Sequence, residues 1–516
     1  MPELRRLAAP PKHGDALVVP EPCSWRRLAR ANADRLNSSD LPVAGATLGE
    51  WRRRTREQLA DSGDVSLILL GHQPEFIHPG VWAKHIVAGR VAEAYRGRAI
   101  QLVVDSDVPK STSLLCPHVG PHGLTVAAVP FLTGKPNLPY EHHPAWNRDQ
   151  LHSLATRVGE AMEASYAGSQ MPNFFDGMKS CGPGADGVDQ LVGGRRRIES
   201  LFGVTLNDLR VSMAPWSPLF FEVVTRSRPF TAAYNQAIAE YRRRFNVRGV
   251  GRPIPALQHY EHRVELPIWA YRPGEPRRRL FVEHRGDRIR LSAEALPIHE
   301  WSAMRFADEM RRNLVSPAWG EWRFRPRALL LTLWARVFVA DLFIHGIGGA
   351  RYDGITDEIV HRFFGVEPPE YVCVSATLHL GLPTEGSGGR SASEVRQALR
   401  DLRWNPQRFA RAEGDAAVWA AKKSDALRQS ILLRETSPHD HAARTKAFHA
   451  HRQSLDGLRS FCADRTAELD RELAAALFAE RQNRLAQGRE YFFGLFDSPR
   501  LDLLMDRLPA ARAFEV

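Results

Sequence analysis

The sequence predicts an α/β fold with a parallel sheet at its core, and three observations carry that prediction. The apolar run over residues 65–70 ends abruptly at Gly71 and reads as a buried strand. The following helix places Ile86, Val87, Val91 and Ala94 on one apolar stripe. AIQLVVDSD (99–107) then supplies a second buried strand. A strand–helix–strand unit of this kind is a parallel crossover, and its ligand loops belong at the carboxyl ends of the strands.

The elements follow in order. Residues 1–60 read as polar amphipathic helices, with WRRLARANADRL and EWRRRTREQLA as their clearest stretches. Residues 61–140 hold the crossover unit, the first half of the core. Residues 141–325, rich in Pro, Gly, His and aromatic side chains, read as an inserted region with strands near 279–282 and 288–291 and a mobile stretch at CGPGADGVDQLVGG. Residues 326–385 form the second half of the core: a buried helix over 326–341, the strand LFIH entering a glycine turn, a helix with Thr356 as its N-cap, and the strand YVCVSATLHL. PTEGSGGR (383–390) marks a flexible boundary. Residues 386–516 read as helical. Leu455, Leu458, Cys462, Leu469, Leu473 and Leu477 recur at three- and four-residue spacings or their sums, which suits a helical hairpin or a short coiled coil able to join two copies. A helix packed on its own domain is the alternative.

Composition narrows the function classes. A chain of 516 residues with 43% hydrophobic and 25% charged residues is an ordinary globular protein of two or three domains, or of one domain with large insertions. The longest apolar stretch, 329–347, is interrupted by Arg336 and Asp341, which argues against a membrane span. The first twenty residues lack a continuous apolar segment of the secretory type. Five scattered cysteines, never in a CxxC pair, suit reduced thiols in a cytoplasm. The net charge of +11 is carried mainly by arginine. No recognised nucleic-acid motif accompanies it, so a solvated surface or a small anionic substrate is favoured over a nucleic-acid partner.

Three loops carry chemistry-bearing residues. In GHQPEFIHPG, His72 and His78 are acid/base or anion-binding candidates, Gln73 can donate and accept, and Gly71 and Gly80 bracket the turn. His78-Pro79-Gly80 is similar to the HxGH signature of nucleotidylyl-transfer folds, with Val81 in place of the second histidine. In DSDVPKST, Asp105 and Asp107 are carboxylates at a strand end, with Lys110 close by. In HGIGGARYDG, Gly346, Gly348 and Gly349 allow close approach of the backbone to a ligand, and His345 is a further binding candidate. Arg351 can pair with an anion there, and Asp353 can accept from a hydroxyl or amine. The pairs His142-His143 and His259/His262 lack third and fourth ligands at zinc spacing, so no metal site is predicted.

Three segments together resemble one family, the cysteine-adding enzymes of bacillithiol biosynthesis. GHQPEFIHPGVWAKHI resembles its GQQ-type motif. IQLVVDSDVPKSTSL stands where the family has a strand and acidic loop, and LFIHGIGGARYDGITDEIVHRFFGVEPPEYVCVSATL resembles its strand, double-glycine loop, helix and strand. The similar parts cover about a third of the chain, in the same order. The resemblance implies a Rossmann-like core related to nucleotidylyltransferases, inserted segments, and a helical coiled-coil region used for dimerisation. It also implies the joining of cysteine to an amino-sugar malate glycoside. His72 stands where the family has glutamine, Pro74-Glu75 replace small residues, and Ala350-Arg351 follow the glycines where the family continues Pro-Gly-Glu. The pattern from His72 to Phe76 is also similar to the WbqC-like family.

Together these observations predict one pocket where the three loops meet. His72, Asp107 and Asp105 are its acid/base candidates, and Gln73, His78, Lys110 and Arg351 its ligand-holding groups. The first reading is a ligase-like enzyme acting on a small polar anion. The second is nucleotidyl or adenylyl transfer on the same core, with a nucleotide (ATP or ADP) as the candidate cofactor and His78-x-Gly80 at its phosphate. The third is a non-catalytic binding protein with a basic surface.

Overall fold

The computed structural model describes residues 7–515 except 61–64, 164, 248–253, 312–313, 385–388 and 412. Part of the boundary expected at 383–390 therefore lies outside the described residues. The chain divides into two compact units. The first holds 1–118, 126–380 and 488–516; the second holds 119–125 and 381–487.

The first unit is built on a six-stranded sheet. Its strands are β1 (Ala16–Val19), β2 (Leu67–His72), β3 (Arg98–Val103), β4 (Asn207–Arg210), β5 (Leu342–His345) and β6 (Tyr371–Ala376). The order across the sheet is β1-β6-β5-β2-β3-β4. All neighbours pair in parallel except β1, which runs antiparallel to β6 at the edge. LILL, IQLV and LFIH are buried on both faces, which is why they read as unbroken apolar runs.

From β2 the chain steps outward to β3 and β4. After the insertion it returns to the other side of β2 as β5 and β6. The strand order thus reverses between β2 and β5, where open α/β sheets leave a crevice. Helix α1 (Pro79–Tyr95) follows β2 and is buried almost all round, through Trp82, Ile86, Val87 and Val91. Helix α2 (Ile347–Ile359) follows β5, with Gly346 as its N-cap.

Asp341, at the start of β5, holds this arrangement in register. Its amide donates to the Leu67 carbonyl at 2.9 Å, and its carboxylate accepts from the Leu67 amide at 2.9 Å. The same carboxylate takes Arg52 at 2.8 Å and Arg56 at 2.9 Å from the second N-terminal helix, Leu48–Ala60. Residues 7–60 are therefore packed into the first unit rather than forming a separate helical segment.

The inserted region is more regular than the sequence predicted. It contains a second, fully antiparallel sheet of six strands, whose Arg278–Arg285 and Arg288–Ala293 include the two stretches expected there. The stretch expected to be mobile becomes, from Gly187 onward, the helix Gly187–Leu201. A capping box between Asp186 and Asp189 starts it. The polar strand β4 (NDLR) and the helices Ser217–Thr225 and Ser227–Arg244 also arise here.

The second unit is helical, with Ala392–Trp404, Asp415–Thr436, His441–Ser460 and Ala463–Ala486. Cys462 and Leu469 of the expected leucine stripe pack with Val395 and Leu402 inside this unit, with Leu473 against them. Residues 488–516, expected to continue the helical tail, belong instead to the first unit. Among the described residues no helix is long and apolar enough to cross a membrane.

Replacing Asp341 by alanine strands Arg52 and Arg56 in the interior without a counter-charge. The expected cost is about 3–5 kcal/mol, read by urea unfolding followed by circular dichroism. A loss below about 1 kcal/mol would contradict the role given to this carboxylate.

Candidate functional site

The carboxyl ends of β2 and β5 open into a cavity of about 880 Å3. Its floor is the β2 loop with Gly71, His72 and Gln73, and the first turns of α1 and α2 with His78, Gly80, Gly346, Gly348 and Gly349. The loop after β3 adds Ser106, Asp107 and Lys110. Trp269, Arg277 and Arg327 reach in from the second sheet and its exit, and Arg489 from the returning C-terminal segment.

His72 makes its Nδ1 contact with the Gln73 carbonyl at 3.0 Å. A carbonyl only accepts, so Nδ1 carries the proton and Nε2 is left as an acceptor. Burial, reinforced by the charge of Lys84, keeps this imidazole neutral, well below its ordinary pKa. Such a group can take a proton from a substrate.

Gln73 donates to Asp107 at 2.9 Å and accepts from Lys110 at 3.3 Å. The other Asp107 oxygen takes Arg277 at 2.6 Å. Asp107 therefore lies in the cavity wall as the hub of a polar network. Both of its oxygens are engaged, which suits positioning better than proton transfer.

Two carboxylates expected in the pocket stand behind its wall. Asp105 is fully buried and anchors the loop to β4. Its oxygens accept from Arg210 Nε at 2.8 Å, the Ser212 amide at 2.9 Å and the Ser212 hydroxyl. Burial raises its pKa, but every lone pair facing a partner is committed to structure. Asp353 is likewise buried, between Arg336 at 2.6 Å and His345 Nε2 at 2.7 Å. Burial opposes its charge, yet Arg336 and His345 outweigh that and hold the carboxyl low. It steers His345 and cannot itself meet a ligand.

His78 lines the cavity as expected, and it also caps a helix. Its Nδ1 accepts from the Gly80 amide at 3.1 Å as the N-cap of α1. Burial and the charges of Arg489 and Lys84 lower its pKa to about 4, so it is not a cation for an anion. Arg351 lines the cavity while donating to the Leu7 carbonyl at 2.5 Å.

The glycines divide by role. A Cβ on Gly80 would meet the Ala376 carbonyl at 2.6 Å, and one on Gly349 would meet His345 Nδ1 at 2.6 Å, so packing requires both. At Gly348 nothing lies within 4 Å, which leaves its backbone open to a ligand.

Lys84, Trp269, Arg277, Arg327 and Arg489 were not anticipated. Lys84 had a signal, as the one lysine, arginine or carboxylate in the apolar first half of α1, four residues after Gly80. Its ammonium donates to the Gly71 carbonyl at 3.1 Å, and burial lowers its pKa to about 8. Arg327 packs on Trp269 at 4.1 Å and pairs with Glu265 at 2.8 Å, leaving Nε and Nη2 without partners among the described residues. Arg489 reaches Ser375 at 3.4 Å. These arginines come from distant segments and carry no local motif.

No family model matches the chain, and no curated protein matches it. Among solved structures, the tryptophanyl-tRNA synthetase of Plasmodium falciparum aligns over 97% of each chain, with 6% identity and a TM-score of 0.22. A likeness at that level carries no argument about this chain.

Lys84 is charged below its pKa and neutral above it. Affinity of the cavity for sulfate, a dianion that does not itself titrate there, is therefore expected to fall as pH rises through about 8. Calorimetric titrations across that range should show the fall in the natural chain and a flat profile in Lys84→Met. A natural-chain profile that is flat would contradict the assignment.

Proposed function

We propose that this protein is an enzyme of the ligase or group-transfer type, acting on a small polyanionic substrate in the cavity between β2 and β5. The observation that carries the reading is the polarity of that cavity. Lys84, Lys110, Arg277, Arg327, Arg351 and Arg489 line it, against Asp107 and Glu490. The first turn of α2 shares the same wall, and no side chain caps its leading amides. Its volume suits a substrate of nucleotide or glycoside size.

In this reading the cations and helix-start amides offset charge on the anionic group as it is transferred or displaced. Neutral His72 accepts the proton of the attacking nucleophile at Nε2, while Gln73 and Asp107 orient the loop. The finer reading follows the resemblance of the three loops: an amino-sugar amine attacks the activated carboxyl of cysteine, an amide bond forms, and the activating phosphate or AMP leaves as its bond to the carboxyl breaks. A nucleotide fits the residues present. Lys84, Arg489 and residues 346–349 would hold its phosphates, and the open backbone at Gly348 leaves room for them. When bound, it supplies an activated phosphoryl or adenylyl group. The nucleotidyl-transfer alternative uses the same cations and differs in what is released.

Thermal-shift measurements with ATP, ADP, pyrophosphate, amino acids and amino-sugar glycosides test the reading. A ligand at about a hundred times its Kd stabilises by about 2.7 kcal/mol. At least one small anion is expected to raise the melting temperature of the natural chain. Gly348→Val is expected to abolish that rise and leave the ligand-free melting temperature nearly unchanged, because its side chain enters only open space. If no small anion stabilises the chain, and a polynucleotide binds with a steep salt dependence, the enzyme reading fails.

A further inference from the structure

A second cavity lies on the other side of residues 73–75. Its volume is about 140 Å3, and an apolar cavity of about 150 Å3 admits benzene. Phe76, Phe131, Tyr140, Trp146, Tyr491 and Phe492 contribute aromatic rings to its wall. Phe76 stands edge-on to Phe131 at 4.6 Å and to Phe492 at 5.1 Å, and Phe131 to Trp146 at 5.4 Å.

The charge on this wall is opposite to that of the large cavity. No lysine or arginine side chain lines it, whereas Glu75 and Glu490 both do. Glu75 accepts from the Lys110 amide at 3.1 Å and from the Tyr140 hydroxyl, both uncharged donors. Glu490 is exposed at the rim, beside Arg489, whose charge it favours. His143, 3% exposed, also lines the cavity, and its Nδ1 has no partner among the described residues. A partly aromatic cavity edged by carboxylates, with no lysine or arginine in its wall, suits a positive charge on an apolar body.

We propose that this second cavity is a binding site for an organic ammonium ion carried on a small ring or branched alkyl group. The rings take the apolar body, and their π faces attract the cation. Glu75 and Glu490 accept the ammonium hydrogens. The site stands on its own walls and does not depend on the reading of the large cavity. It nevertheless shares Glu490 with that cavity, and Glu75 lies three residues from His72.

Calorimetric titration of the full chain with benzylammonium, benzyl alcohol and benzoate tests this directly. Benzylammonium is expected to bind about tenfold more tightly than benzyl alcohol, and benzoate to give no detectable heat. That ranking in the natural chain requires no variant. Glu75→Gln and Glu490→Gln are each expected to weaken benzylammonium about fivefold and to leave benzyl alcohol unchanged. Lys84→Met, which alters only the large cavity, is expected to change none of the three. Equal affinity for the three probes, or no binding by any, would overturn the proposal. So would loss of ammonium binding in Lys84→Met.

Discussion

The structure depends on the double hydrogen bond between Asp341 and Leu67. The two residues are far apart in the chain but open neighbouring strands, and each main chain is held by the other residue. A slip of one residue between β2 and β5 would turn their side chains to the wrong faces. It would also pull apart the loops at the far ends of both strands. Buried Arg52 and Arg56 make the Asp341 carboxylate costly to lose and so guard that register. The geometry at Gly71–His72 and at His345–Gly349 is thus set at the opposite end of the sheet.

The β2 loop divides two chemically different spaces. His72 and Gln73 face a large cavity rich in cations, and Pro74 to Phe76 face a small aromatic one edged by carboxylates. The second sheet contributes Trp269 and Arg277 to the large cavity, so the insertion is part of the site's wall. Tyr271 of the same sheet donates to Glu141, which also pairs with Arg325 at 2.9 Å. That buried network fastens the insertion beside the loop that follows β3.

The strand–loop–helix at residues 67–84 was legible because its determinants are local: an apolar run, a glycine, and proline at the start of a helix. Asp105 and Asp107 looked alike because alternation within a short loop does not reveal which carboxylate meets Arg210 and which meets solvent. The helix after Asp186 was missed although its capping box is written in the sequence, since three glycines nearby read as a loop. β4 was illegible for another reason. NDLR has no apolar run, and its place at the sheet edge comes from pairing with β3 and from Asp105–Arg210. Arg327 and Arg489 reach the cavity only through tertiary folding, so nothing in their neighbours announces them.

Diffraction from crystals soaked in selenate, a tetrahedral dianion with an anomalous signal, tests the central claim most directly. The account predicts a selenium peak inside the large cavity, within hydrogen-bonding distance of Lys84 or Arg489 and the amides of residues 346–349. Peaks confined to surface arginines, with the cavity occupied by water alone, would contradict it.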